Sequence, residues 1–268
     1  MNSFSDKVMN CSPTVDSQLP LADPLGSDRW WGDYSAAVHS LSHACDDSEA
    51  IDALRAAAAA LGADGAVFCS AIRHDAALTI VRALVACDTD WINDYASADW
   101  FEDDPWLHYA AQSSLPIIAS EIRPQGARQC AMLDAVRSHG FASAVVVPAP
   151  SSAGPSRVGV LCIGSRLEGR FEGSAFSGLR PLACGLAMEV SEWFLRQTRA
   201  RLLVRAQLTS DDLEMLRQQA RGCGTKEMAR QMGIATTAVD TRIQRLNRRL
   251  GVVHRRDAIR LAWLYGLL

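Results

Sequence analysis

No apolar run in this chain approaches the roughly 18 residues needed to cross a bilayer, because charged residues interrupt each one well short of that length. The first residues contain no basic segment leading into an apolar core, so neither membrane insertion nor export is expected. Eight cysteines are present (Cys11, Cys45, Cys69, Cys87, Cys130, Cys162, Cys184 and Cys223), but no two form a Cys-x-x-Cys pair. That argues against a zinc ribbon or a dithiol redox motif. Most of these cysteines read as small buried hydrophobes, in keeping with the reducing cytoplasm. His39, His43, His74, His108, His139 and His254 read as dispersed, with no metal-like pair on one helix. There is no Gly-x-Ser-x-Gly elbow and no phosphate loop. No catalytic residue, metal site or cofactor is expected.

What is present is an ordinary globular composition of 268 residues, 49% hydrophobic and 21% charged, long enough for one large domain or two modest ones. The net charge of −3 hides an asymmetry. Residues 201–268 carry thirteen Arg/Lys against six Asp/Glu, which leaves fourteen against twenty-four in the first 200. An acidic body with a basic, domain-sized tail points the tail at nucleic acid, since phosphate neutralisation supplies most non-specific DNA affinity.

Residues 1–28 mix Ser, Pro, Asp and Asn and read as a flexible lead-in. A helix is expected from Asp46, capped by Asp46 or Asp47 and ended by Gly62, with Ile51, Leu54, Ala58 and Leu61 at helical spacing. Gly65–Ile72 and Ala77–Ala86 read as strands, joined by a turn at Arg73-His74-Asp75. Asp90–Ser97 reads as a helix, and Asp104-Pro105 starts another that runs to about Gln112. Leu115–Ala119 is expected as a short strand, and Ala127–His139 as a helix stopped by Gly140. The strands Ala142–Val147 and Val158–Gly164 flank a Pro-Ala-Pro-Ser-Ser-Ala-Gly-Pro loop. Ser174–Gln197 is a long helical run that Pro181 is expected to kink or divide. The fold class is therefore α+β. An α/β/α sandwich over 29–198 is followed by a linker at 199–207 and an all-α domain of four helices over 208–268.

In that last segment Thr209 caps a helix with Leu213, Leu216 and Ala220 inward, and Thr225 caps a short second helix. Gly233 permits a tight turn. A third helix from Thr236 carries Val239, Ile243, Leu246 and Leu250 on one stripe. Helix, glycine turn, helix is the spacing of a helix-turn-helix, whose second helix enters the major groove. Lys226, Thr236, Thr237, Thr241, Arg242, Gln244, Arg245 and Arg248 are the candidate DNA contacts. Leu208-Thr209, Glu214, Leu216, Ala220-x-Gly222, Glu227-Met228-Ala229, Ile234, Val239 and Leu250 follow the LuxR-type DNA-binding motif in order and spacing. The segment thus resembles that family over about sixty residues. It departs from it where Asp211 replaces the usual Arg, Ala238 the usual Thr, and Arg242 and Arg245 the usual His and Asn.

Trp91-x-x-x-Tyr95, Trp100 and Asp104-Pro105 resemble the pocket motif of the quorum-sensing branch of the same family, whose N-terminal domain binds acyl-homoserine lactones. The resemblance implies that Trp91 and Asp104 would bond the lactone carbonyl and amide N–H, and Tyr95 the acyl carbonyl. Where the family usually has a second Trp stands Ala119, and where it has a small residue stands Trp106. Cys162 and Cys87 fall on a usual Ser and a usual Tyr. Either Trp106 replaces the missing wall, or it fills the space where a lactone would sit. The second option, a self-packed domain that needs no lactone, is the reading preferred here.

The expected function is a cytoplasmic transcription regulator of quorum-sensing type, not an enzyme, acting as a homodimer on a palindromic duplex-DNA promoter site. The alternatives are a lactone-dependent receptor-regulator and a partner that sequesters other regulators as heterodimers.

Overall fold

A computed structural model of the chain describes residues 29–73, 79–88, 90–149, 151 and 157–268. The lead-in expected over 1–28, the turn residues His74 and Asp75, and most of the proline-rich loop before Arg157 lie outside these residues.

The first domain opens with α1 (Trp30–His43) and α2 (Asp47–Ala60). Asp46 caps α2, its carboxylate accepting from Glu49 N at 2.9 Å. Next come β1 (Gly65–Arg73), β2 (Thr79–Ala86), α3 (Asp90–Ser97), a 3₁₀ turn at Trp100–Glu102 and α4 (Pro105–Gln112). They are followed by β3 (Ile117–Ile118), a 3₁₀ turn at Ala119–Glu121, α5 (Ala127–Ser138), β4 (Ser143–Ala149), β5 (Arg157–Ser165) and α6 (Ser174–Arg205). The five strands form one antiparallel sheet in the order β2-β1-β5-β4-β3.

Alternation along β1 splits the core in two. Ala66 and Phe68 face a cluster with α1, α2 and α6, whereas Val67 and Cys69 face one built from α3, α4 and α5. This is the expected α/β/α sandwich. Gly164 makes the second face possible, because a Cβ there would overlap the Phe141 ring.

Several local expectations change. α1 carries Tyr34, Ala37 and Leu41 into the core and was not anticipated. It places His39 and His43 one turn apart, with ring centroids at 4.2 Å, although no group of three potential metal ligands exists among the described residues. The Leu115–Ala119 strand shrinks to two paired residues, since Ala119 already begins a 3₁₀ turn.

Pro181 does not divide α6, because Leu179, Ala183 and Leu186 around it are buried and hold both flanks in place. Nor does the stretch 199–207 interrupt that helix, which continues to Arg205. Leu202 and Leu203 pack on the second core, which explains the extension. Among the described residues no helix is long and apolar enough to cross a membrane.

The second domain contains α7 (Ser210–Ala220), α8 (Thr225–Met232), α9 (Thr236–Leu250) and α10 (Arg255–Leu264). Thr209 and Asp212 form a reciprocal capping box on α7. On α7 it is Met215 and Leu216 that are fully buried; Leu213 is half-buried and Ala220 is exposed. Thr225 does not cap α8. Gly224 holds the cap position, and the Thr225 hydroxyl donates to Asp240 Oδ1 at 3.2 Å instead.

The domains touch where Arg157 at the start of β5 donates to the Leu264 carbonyl at 3.4 Å. Beside this contact Gly266, at φ +66°, lies so close to Leu195 that a Cβ would sit 2.8 Å from its Cδ1.

Candidate functional site

Between the sheet and the α3–α5 layer lies a cavity of about 440 Å³. Val67, Val85 and Val160 supply part of its floor, Trp91, Tyr95 and Phe101 part of its roof, and Met132 and Phe141 one side. Its volume and apolar lining are those of a small-molecule site. The roof is strapped down by Arg128 of α5. Its Nε reaches Asp103 Oδ2 at 2.5 Å, and its Nη2 donates to the carbonyls of Ala98 and Asp99 at 3.2 Å. Nothing local in the sequence marks Arg128, because its partners lie 25 to 30 residues away.

Asp104 is the polar centre. Its Oδ1 accepts from the backbone N–H of Trp106 at 2.7 Å and of Leu107 at 3.3 Å, capping α4. Its Oδ2 accepts from the Tyr95 hydroxyl at 2.7 Å. Burial raises the Asp104 carboxyl above the usual range, and these three hydrogen bonds only partly oppose it. Burial and the neighbouring Asp104 raise the Tyr95 hydroxyl likewise and push the Cys69 thiol up to about 12. Burial thus favours the neutral thiol at both Cys69 and Cys162 in the wall.

Five of the seven pocket residues expected from sequence line this cavity: Trp91, Tyr95, Asp104, Trp106 and Cys162. Trp100 does not; it stacks behind Trp91 with ring centroids 5.7 Å apart. Ala119 lies instead in a second hollow of about 200 Å³. Trp106, Val136 and Phe141 line both spaces. The Trp106 indole is thus a partition, 4% exposed, rather than a plug. The expectation that it fills the pocket is replaced, because the ring stands at the edge of an open cavity.

At the other end of the chain, Gly233 at φ +65° makes the turn between α8 and α9. Val239 and Leu246 of α9 are fully buried. Thr236, Thr237, Thr241, Gln244, Arg245 and Arg248 are exposed, as is Lys226 on α8. Arg242 is half-buried, with its Nη1 3.9 Å from Asp211 Oδ2. α9 is held from behind by Arg249, which pairs with Asp212 at 2.6 Å and donates to the Gln207 carbonyl at 2.7 Å. An amphipathic helix is thus presented with a polar, cationic outer face.

This arrangement coincides with two family profiles. One, described as the autoinducer binding domain, matches residues 46–191. The other, described as bacterial regulatory proteins of the luxR family, matches residues 206–262. The chain belongs to the LuxR family. It is a transcription regulator composed of an autoinducer-binding domain and a helix-turn-helix DNA-binding domain, and is not an enzyme.

Among solved structures, this LuxR-family chain resembles Escherichia coli SdiA at a TM-score of 0.67 and 16% identity, covering 89% of this chain and 98% of that one. SdiA in complex with octanoyl-rac-glycerol gives 0.60 and 14%, covering 90% and 97%. The N-acylhomoserine lactone-dependent factor CepR2 from Burkholderia cenocepacia gives 0.54 and 18%, covering 61% and 95%. At such identities the likeness concerns the fold alone. No curated protein matches the chain.

Proposed function

We propose that this regulator folds and binds its promoter DNA without a lactone, and that its cavity admits an uncharged acyl ligand as a modulator rather than as part of its core. The observation that carries this reading is the closed polar circuit of Tyr95, Asp104 and the α4 N-terminus. A buried carboxylate left without partners would cost about 1–3 kcal/mol or more, and the domain would then need a ligand to complete it. Here the chain supplies those partners itself.

DNA is held by the outer face of α9, with Gln244 and Arg245 at base edges and Lys226, Thr236, Thr237, Thr241 and Arg248 along the phosphates. Arg242 supports the helix through Asp211. Two copies of the chain, acting in the cytoplasm, place two such helices about 34 Å apart on a palindromic site. Trp263 of α10, 47% exposed, and Met188 of α6, 53% exposed, are among the apolar side chains available to a second copy.

The test is expression with no lactone present, followed by mobility shift on genomic fragments and by sedimentation. Specific shifts from lactone-free dimer support the reading. Shifts that appear only after lactone is added would overturn it.

A further inference from the structure

The indole of Trp106 separates two spaces and has an unanswered hydrogen-bond donor. Its Nε1 is buried without a partner on either side. Such an atom is rare in a folded interior. On the far side lies the hollow of about 200 Å³. Ala119 lies on its wall, and beside Arg137 the wall includes Ser120, Asp134 and Glu172, which offer acceptors to an N–H. The Trp106 backbone N–H is tied to Asp104, so a movement of the ring is a rotation of the side chain about a fixed backbone.

We infer that Trp106 is a gate: its indole turns into the hollow beside Ala119 and thereby lengthens the main cavity for a long acyl chain. This rests on the reading that the cavity admits an acyl ligand. The lining also fixes the ligand's charge class. Among the described residues it contains Asp99 and Asp104 but no Lys, Arg or His, so the carboxylate of a free fatty acid has no counter-ion there.

The full-length chain is titrated with homoserine lactones from butanoyl to hexadecanoyl, and with hexadecanoic acid, by thermal shift and calorimetry. Ala119→Trp fills the receiving hollow. It should leave short-chain binding unchanged and weaken the longest lactones about tenfold or more. Hexadecanoic acid should bind far more weakly than its lactone amide in every variant. In protein labelled with 5-fluorotryptophan, the Trp106 resonance, assigned by its loss in Trp106→Phe, should move with long chains and not with short ones.

Equal long-chain affinity in Ala119→Trp and the parent, or a Trp106 resonance indifferent to chain length, would overturn the gate while leaving an acyl-binding cavity in place. Failure of every lactone to bind the parent would overturn both the gate and the reading beneath it. Should Ala119→Trp not fold, Ala119→Leu asks the same question with a smaller plug.

Discussion

Tyr95 and Asp104 hold one another across the cavity roof, hydroxyl to Oδ2 at 2.7 Å, while the other carboxylate oxygen caps α4. The pair links α3 to the start of α4 with a charge-assisted bond in a buried setting. Tyr95→Phe should therefore cost about 1.5–3 kcal/mol of stability, the range for hydrogen bonds to a charged group. Urea unfolding measures the loss, and mobility shift at low temperature should show DNA affinity unchanged. No loss of stability would contradict the closed circuit.

The same carboxyl predicts a pH dependence of unusual sign. Because burial raises Asp104 in the folded state, its contribution is complete below the unfolded value of about 3.9 and is lost as pH rises through the folded value. Asp104→Asn can still cap α4 and meet the Tyr95 hydroxyl, yet does not ionise. Its stability relative to the parent should rise with pH across that window. A difference between the two proteins that stays flat from pH 4 to neutrality would refute the assignment.

Asp212 behaves in the opposite way. Burial raises it, but hydrogen bonds from Arg249 and Thr209 outweigh that and hold it below the usual range. Its contribution is present above the unfolded value of about 3.9 and disappears as pH falls through the folded one. Asp212→Ala breaks the capping box and leaves Arg249 without its carboxylate, so it should cost about 2–3 kcal/mol. A double-mutant cycle with Arg249→Ala, read by chemical denaturation, should give a coupling of at least ~0.5 kcal/mol.

On the DNA face the arginines of α9 should separate by role. Arg248→Ala should weaken all sequences alike and reduce the salt slope by about one, whereas Arg245→Ala should cost ~1–3 kcal/mol and relax one operator position. Arg242→Ala should cost less than Arg245→Ala, because its guanidinium is directed to Asp211. Fluorescence anisotropy across a salt series measures all three. Unchanged binding in the Arg245→Ala, Arg248→Ala double variant would remove α9 from the interface.

Where an aspartate supplies the cap, sequence and structure agree. Asp46 and Asp104 cap their helices as their spacing suggests, and the Asp90–Ser97 helix keeps both ends. The stripe on α9 also holds, with Ile243 half-buried and the other three buried. α1 is not legible in the sequence because Tyr34, Ala37 and Leu41 follow two tryptophans and a glycine, and no side chain caps its start. In the site, the sequence brought Trp106 and Ala119 together as exchanged walls of one pocket. Which side of the indole each space occupies depends on the side-chain rotamer of Trp106, and no spacing rule carries that information.

α6 runs unbroken for 32 residues and contributes to both cores. At 1.5 Å and 100° per residue it is a rod of about 48 Å that fixes rotational phase as well as distance. One residue inserted between Arg199 and Arg205 would swing the DNA-binding helices by about 100° about that axis, and seven would return them within about 20° of their starting azimuth. In a two-fold dimer, operator half-site spacing is therefore encoded partly in the length of this rod, and insertions should restore DNA binding with the periodicity of the helix.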